Sequence, residues 1–189
     1  MRDSRLLSSS SSGGAPFRTR LIVEIGITIS LAVAMSTITR LVQLPWGGSI
    51  SLGSLPIAVI AIVRGVKVGG IVGGGYGLVD LLLNPFIVHP IQILLDYPLP
   101  NALFGSTIGF LYLRYSIEKP WSYIAIVFLA GFAKWSSHCF SGILYFSAYA
   151  PEGQSVWIYS AIYNASHVIP ETILCMVLLR MVVSYLPTK

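Results

Sequence analysis

The chain of 189 residues carries twelve Lys or Arg and seven Asp or Glu, so only 10% of it is charged while 54% is hydrophobic. Soluble domains hold roughly a quarter charged residues; so few charges cannot cover a globule of this size, and a soluble single-core domain is excluded as the default. The net charge of +5 does not indicate nucleic acid either, because the basic residues stand singly with no run to follow a phosphate backbone.

In chain order, residues 1–19 hold a serine run from Ser8 to Ser12, Gly13, Gly14 and several arginines, the composition of a flexible basic tail. The apolar stretch that begins at Leu21 is read as a retained first span, since Glu24 opens it and no small-residue cleavage site ends it. With roughly 20 apolar residues per crossing, Pro, Gly and charge punctuation divides the rest into spans at 21–42, 52–64, 67–86, 90–114, 121–147 and 157–181. The second is short and fits a tilted or protein-buried helix. The expected fold is an all-α membrane protein: six transmembrane helices within residues 20–185, and a short tail over 186–189.

Cytoplasmic loops retain Lys and Arg. If the N-terminal tail is inside, Arg2, Arg5, Arg18, Arg20, Arg64, Lys67, Arg114, Lys119, Arg180 and Lys189 share that side, whereas the opposite side holds Arg40 at a helix end and Glu152. Both termini are therefore expected to be cytoplasmic.

Ionisable groups within hydrocarbon are costly and usually paired or functional. On this topology they gather in the outer halves of the helices: Asp80 on the third, Asp96 and Tyr97 on the fourth, Lys134 and His138 four apart on the fifth, and Tyr159, Tyr163 and Asn164 on the sixth, with Trp46 in the first outer loop. Taken singly, each has a plain explanation as a snorkelling charge or a member of an interfacial aromatic belt. Together they outline an outward-opening cavity. A carboxylate at Asp96 suits a cationic or heteroaromatic guest, with stacking on Trp46, Phe146 or Tyr159 and hydrogen bonding from Asn164, Tyr163 and His138. Asp96 and Lys134 are expected to neutralise one another in the empty site.

Gly69, Gly73 and Gly77 recur at spacing four in the third span, a close-packing ridge; no Gly-Lys-Ser/Thr ending makes it a phosphate loop. A second ridge of small residues, Gly26, Ser30 and Ala34, lies on the first helix and is open to two readings, internal packing or docking of another membrane protein. Cys139 and Cys175 read as small buried hydrophobes. An intramembrane enzyme pairing His138 with Asp96 or Glu171 is disfavoured, because no nucleophile–base or His-Glu-x-x-His pattern accompanies them. Glu171 follows Pro170 and is expected to satisfy backbone groups freed by that proline.

Four strings, "SISLGSLPIAVIAIVRGVKVGGIVGG", "LLDYPL", "KWSSHCFSGILYF" and "YSAIYNASHVIPE", in this order and spacing, resemble the thiamine-specific substrate-binding (S) component of energy-coupling factor transporters over most of residues 21–185. The resemblance implies a six-helix protein of a prokaryotic cytoplasmic membrane, without a cofactor, that holds thiamine near its outer face. Its partners would be a transmembrane coupling subunit and two ABC ATPases, and it would topple to release the vitamin inward. It further implies ligand contacts from Trp46, Asp96, Tyr97, Lys134, His138, Phe146, Tyr159 and Asn164. Asp96 stands where the family more often has Glu, and Phe146 where it commonly has Trp. Gly26-xxx-Ser30 is a looser form of its Ala-xxx-Ala docking motif. Another heteroaromatic vitamin or precursor, a hydroxymethylpyrimidine or riboflavin, is the alternative substrate.

Overall fold

The computed structural model describes residues 17–40, 42–115, 120–183 and 185. Most of the N-terminal tail, the C-terminal tail and Lys119 lie outside the described residues. The described chain is a helical bundle: α1 (Phe17–Ile38), α2 (Ser54–Arg64), α3 (Val66–Leu83), α4 (Pro90–Asp96), α5 (Pro98–Arg114), α6 (Pro120–Tyr145) and α7 (Val156–Val183). Between α1 and α2 lies a small antiparallel hairpin, β1 (Val42–Gln43) on β2 (Ser49–Ile50), with Val42 opposite Ile50 and Gln43 opposite Ser49.

Four helices, α1, α3, α6 and α7, are long and apolar enough to cross a membrane. Their outward faces carry large apolar side chains such as Ile27, Leu82, Phe128 and Ile173. These suit lipid, which asks for no polar cover. The short second helix is enclosed by protein, as its length predicted: α2 packs against α1, α3, α5 and α7, and Ile57, Ala58 and Ala61 are wholly buried.

The expected fourth span is not one helix. It breaks at Tyr97 into α4 and α5, with Tyr97 at φ −113°, ψ −76° and Pro98 opening α5. Proline restricts the residue before it and lacks the N–H that would continue the ladder, so the run from Pro90 to Arg114 yields two elements. The hairpin was also not expected; two-residue strands are too short to show an alternating pattern.

The glycine ridge of α3 packs as its spacing predicted. Gly69, Gly73 and Gly77 face the α5 side at Gly105, Asn101 and Tyr97, and a Cβ on Gly73 or Gly77 would collide with backbone atoms of Asn101 or of Tyr97 and Pro98. Main chain thus meets main chain along this seam. Polar links join the other neighbours: Arg64 forks onto the Glu24 carboxylate at 2.5 and 2.7 Å, Tyr76 donates to Ser36 Oγ at 2.9 Å, and Ser137 donates to the Leu95 carbonyl at 2.7 Å. The α1 ridge is turned outward. Gly26, Ser30 and Ala34 are exposed, and a Cβ on Gly26 would meet nothing.

These two glycines make a paired test. Gly73→Leu forces a side chain into the α5 backbone and is expected to destabilise the protein by about 3 kcal/mol or more. Gly26→Leu should change stability by less than about 0.5 kcal/mol. Thermal unfolding of the detergent-solubilised variants measures both.

Candidate functional site

A cavity of about 250 Å³ lies among the end of α1, the hairpin, α3, the α4–α5 break, α6 and α7. All nine residues singled out for the site line it: Trp46, Asp96, Tyr97, Lys134, His138, Phe146, Tyr159, Tyr163 and Asn164. They converge because helical spacing carries them to one side. Lys134 and His138 are one turn apart on α6, and Tyr159, Tyr163, Asn164, His167 and Glu171 run down one face of α7.

The mouth is aromatic. Trp46, 44% exposed, lies 4.7 Å from the Tyr149 ring, tilted by 38°, and Phe146 lies 5.9 Å from Phe86, nearly parallel to it. Tyr163 holds the hairpin tip to α7: its hydroxyl accepts from Trp46 N at 2.9 Å and donates to the Gly47 carbonyl at 3.0 Å. Tyr159 sits 5.8 Å from the Tyr163 ring. At one side Arg40 donates to Asn84 Oδ1 at 2.7 Å and to Asp80 at 3.3 Å. The sequence had marked Arg40 and Asp80 separately without pairing them.

The closed end holds a buried ion pair. Lys134 donates to both Glu171 oxygens, at 3.0 and 2.9 Å, and to Ser54 Oγ at 3.3 Å, while Ser54 itself donates to Glu171. Two expectations are corrected here. Asp96 and Lys134 do not neutralise each other, because Glu171, one residue past Pro170 and projecting from α7, reaches the ammonium instead. Nor does Glu171 serve the backbone freed by Pro170; both its oxygens are occupied by Lys134 and Ser54. All three donors of the Lys134 ammonium are taken.

Asp96 is one wall. Its Oδ1 lies 3.3 Å from His138 Nδ1, and its Oδ2 accepts from Gln92 Nε2 at 2.7 Å. Tyr97 stands beside it with its hydroxyl committed to the Asn84 carbonyl (2.9 Å) and the Phe86 amide (2.7 Å), so the cavity meets its ring. Asn164 Nδ2 donates to the Ser160 carbonyl at 2.9 Å and to the His138 carbonyl at 3.3 Å, and among the described residues its Oδ1 accepts no hydrogen bond.

Sequence reasoning passed over His167 and Asn101, both in the cavity wall. Buried among the described residues without a partner are Asn101 Oδ1 and both ring nitrogens of His167. The signal for His167 was available in the turn-by-turn recurrence of polar residues on α7. Asn101 lies in a stretch whose hydropathy reads as ordinary membrane helix.

The buried ion pair makes a stability prediction. Glu171→Gln leaves the Lys134 ammonium without its counter-charge and should cost about 3–5 kcal/mol. The apolar double replacement Lys134→Met with Glu171→Leu should recover most of that loss in the same melting measurement.

Comparison with known proteins bears on what the cavity serves. The family described as Thiamine transporter protein (Thia_YuaJ) matches residues 22–189. Thiamine transporter ThiT of Bacillus subtilis is 34% identical over 170 residues, covering 84% of this chain and 87% of that protein. Thiamine transporter ThiT of Lacticaseibacillus paracasei is 27% identical over 179 residues, 88% of each. A solved structure of ThiT from Listeria monocytogenes superposes with a TM-score of 0.75 at 24% identity, over 89% of this chain and 95% of that one, which establishes a shared fold. These relatives carry the names of transporters rather than enzymes, as the sequence had led us to expect, and with its apolar helices the chain is a multi-pass cell-membrane protein. Matched over nearly its whole length, it belongs to the thiamine transporter protein family.

Proposed function

We propose that the protein captures thiamine from the outer side of a bacterial membrane and presents it to an energy-coupling factor module, a transmembrane coupling subunit with two ABC ATPases, for ATP-driven uptake. The observation that carries this reading is the composition of this cavity. It combines a carboxylate, an aromatic mouth and buried polar atoms without a partner among the described residues. A flat cation with hydrogen-bonding edges answers all three.

In this reading Asp96 is the counter-ion of the positively charged ring, strengthened by the low dielectric around it. Trp46, Phe146 and Tyr159 stack on the guest, and Tyr97 offers its ring. His138 and Asn164 present polar atoms, Tyr163 anchors the hairpin that carries Trp46, while Lys134, with its donors occupied by Glu171 and Ser54, sets the charge balance of the closed end. The exposed ridge of Gly26, Ser30 and Ala34 is the docking face for the coupling subunit, since small residues let a second helix approach closely in lipid. The outward ridge supports that choice over internal packing.

Titration of the purified protein with radiolabelled thiamine tests the substrate; absence of binding at micromolar ligand overturns it. Asp96→Asn is expected to weaken thiamine strongly while leaving the melting temperature near that of the parent, and Asn164→Ala to cost about 1–3 kcal/mol of affinity. Gly26→Leu, in a membrane containing the coupling module, should bind thiamine like the parent yet fail to support ATP-dependent uptake. Normal uptake by that variant would remove the ridge from the docking face.

A further inference from the structure

We propose that His167 is a specificity-determining residue of the cavity: as a neutral imidazole it hydrogen-bonds the uncharged, nitrogen-bearing ring of the guest while Asp96 holds the charged ring. The proposal deepens the thiamine reading and rests on it.

His167 stands on α7 one turn beyond Tyr163 and is 3% exposed. Neither Nδ1 nor Nε2 has a hydrogen-bond partner among the described residues. Leaving such atoms buried and unpaired is costly, and folded proteins keep few of them. The neighbouring polar side chains are committed elsewhere. Lys134 and Glu171 are occupied with each other and with Ser54, Asp96 with His138 and Gln92, and Tyr163 with the hairpin.

The surroundings also fix the charge of the ring. From α6 it meets His138 edge-on at 5.4 Å, from its own helix Tyr163 at 6.5 Å, and from the hairpin the backbone of Gly48. No carboxylate bonds to it, Glu171 is neutralised by Lys134, and the ammonium shares the cavity. An imidazolium there would be buried and unpaired. The neutral ring offers one donor and one acceptor. An aminopyrimidine carries both an amino donor and ring-nitrogen acceptors and so can bond one imidazole nitrogen, whereas a quaternary thiazolium nitrogen offers neither. His138 touches both Asp96 and His167, so the anionic and neutral readers stand one imidazole apart. A guest of two linked rings, one charged and one not, meets both.

The experiment uses the full chain in lipid nanodiscs and two ligands: thiamine, and a benzyl thiazolium alcohol that keeps the cation but replaces the aminopyrimidine with benzene. His167→Phe should weaken thiamine by about tenfold and leave the benzyl analogue unchanged; His167→Gln, which can still donate and accept, should bind thiamine within about threefold of the parent. Thiamine binding within twofold of the parent in His167→Phe overturns the proposal. An equal loss for both ligands overturns it too, as a purely structural role would produce. If His167→Phe does not yield folded protein, His167→Ala is read in the same way. Failure of the parent to bind thiamine is a different result and refutes the proposed function itself.

Discussion

A positive and a negative charge, both nearly out of reach of water, are held together where α2, α6 and α7 meet. Removing such ions from solvent costs several kcal/mol each, recovered only where geometry is good and the remaining hydrogen bonds are met. Lys134 meets that condition with three acceptor contacts and Glu171 with both oxygens occupied. The pair sets the rotation of two long helices about their axes. One turn from Lys134 stands His138; one and two turns from Glu171 stand His167 and Tyr163. Fixing the first layer aims the next layers into the same volume.

Above that floor the cavity is graded. Aromatic rings occupy the mouth, and the Asp96 carboxylate stands among imidazole and amide groups, bonded to His138 and Gln92. The α4–α5 break is part of this arrangement. It ends α4 at Asp96, where the carboxylate reaches Gln92 on its own helix and His138 across the gap, and it leaves Tyr97 free to tie the 84–86 segment down through its hydroxyl.

Much of the site was legible because the bilayer penalises stray charge so heavily that polar residues at one depth announce a cavity. Lys134 with His138, and Tyr159 with Tyr163 and Asn164, were found this way, and the α3 glycines by their spacing. What stayed hidden depends on relations between helices. Choosing between Asp96 and Glu171 as the partner of Lys134 requires the relative rotation of α6 and α7, which no single helix encodes. The break at Tyr97 escaped a window that averages hydropathy over 90–114. Whether the α1 ridge faces inward or outward could not be read until it was known which faces its neighbours cover. His167 stood in the polar recurrence of α7 and was passed over there; its lack of a partner is a property only coordinates reveal.

The seam between α3 and α5 has a mechanical consequence. Where two helices touch through interdigitated side chains, they slide by exchanging rotamers; where carbonyl meets glycine, no such layer exists to deform. The pair moves as one plate. Any internal rearrangement is thereby left to parts held through side chains, namely the hairpin pinned by Tyr163 and the first helix fastened by the Glu24–Arg64 fork.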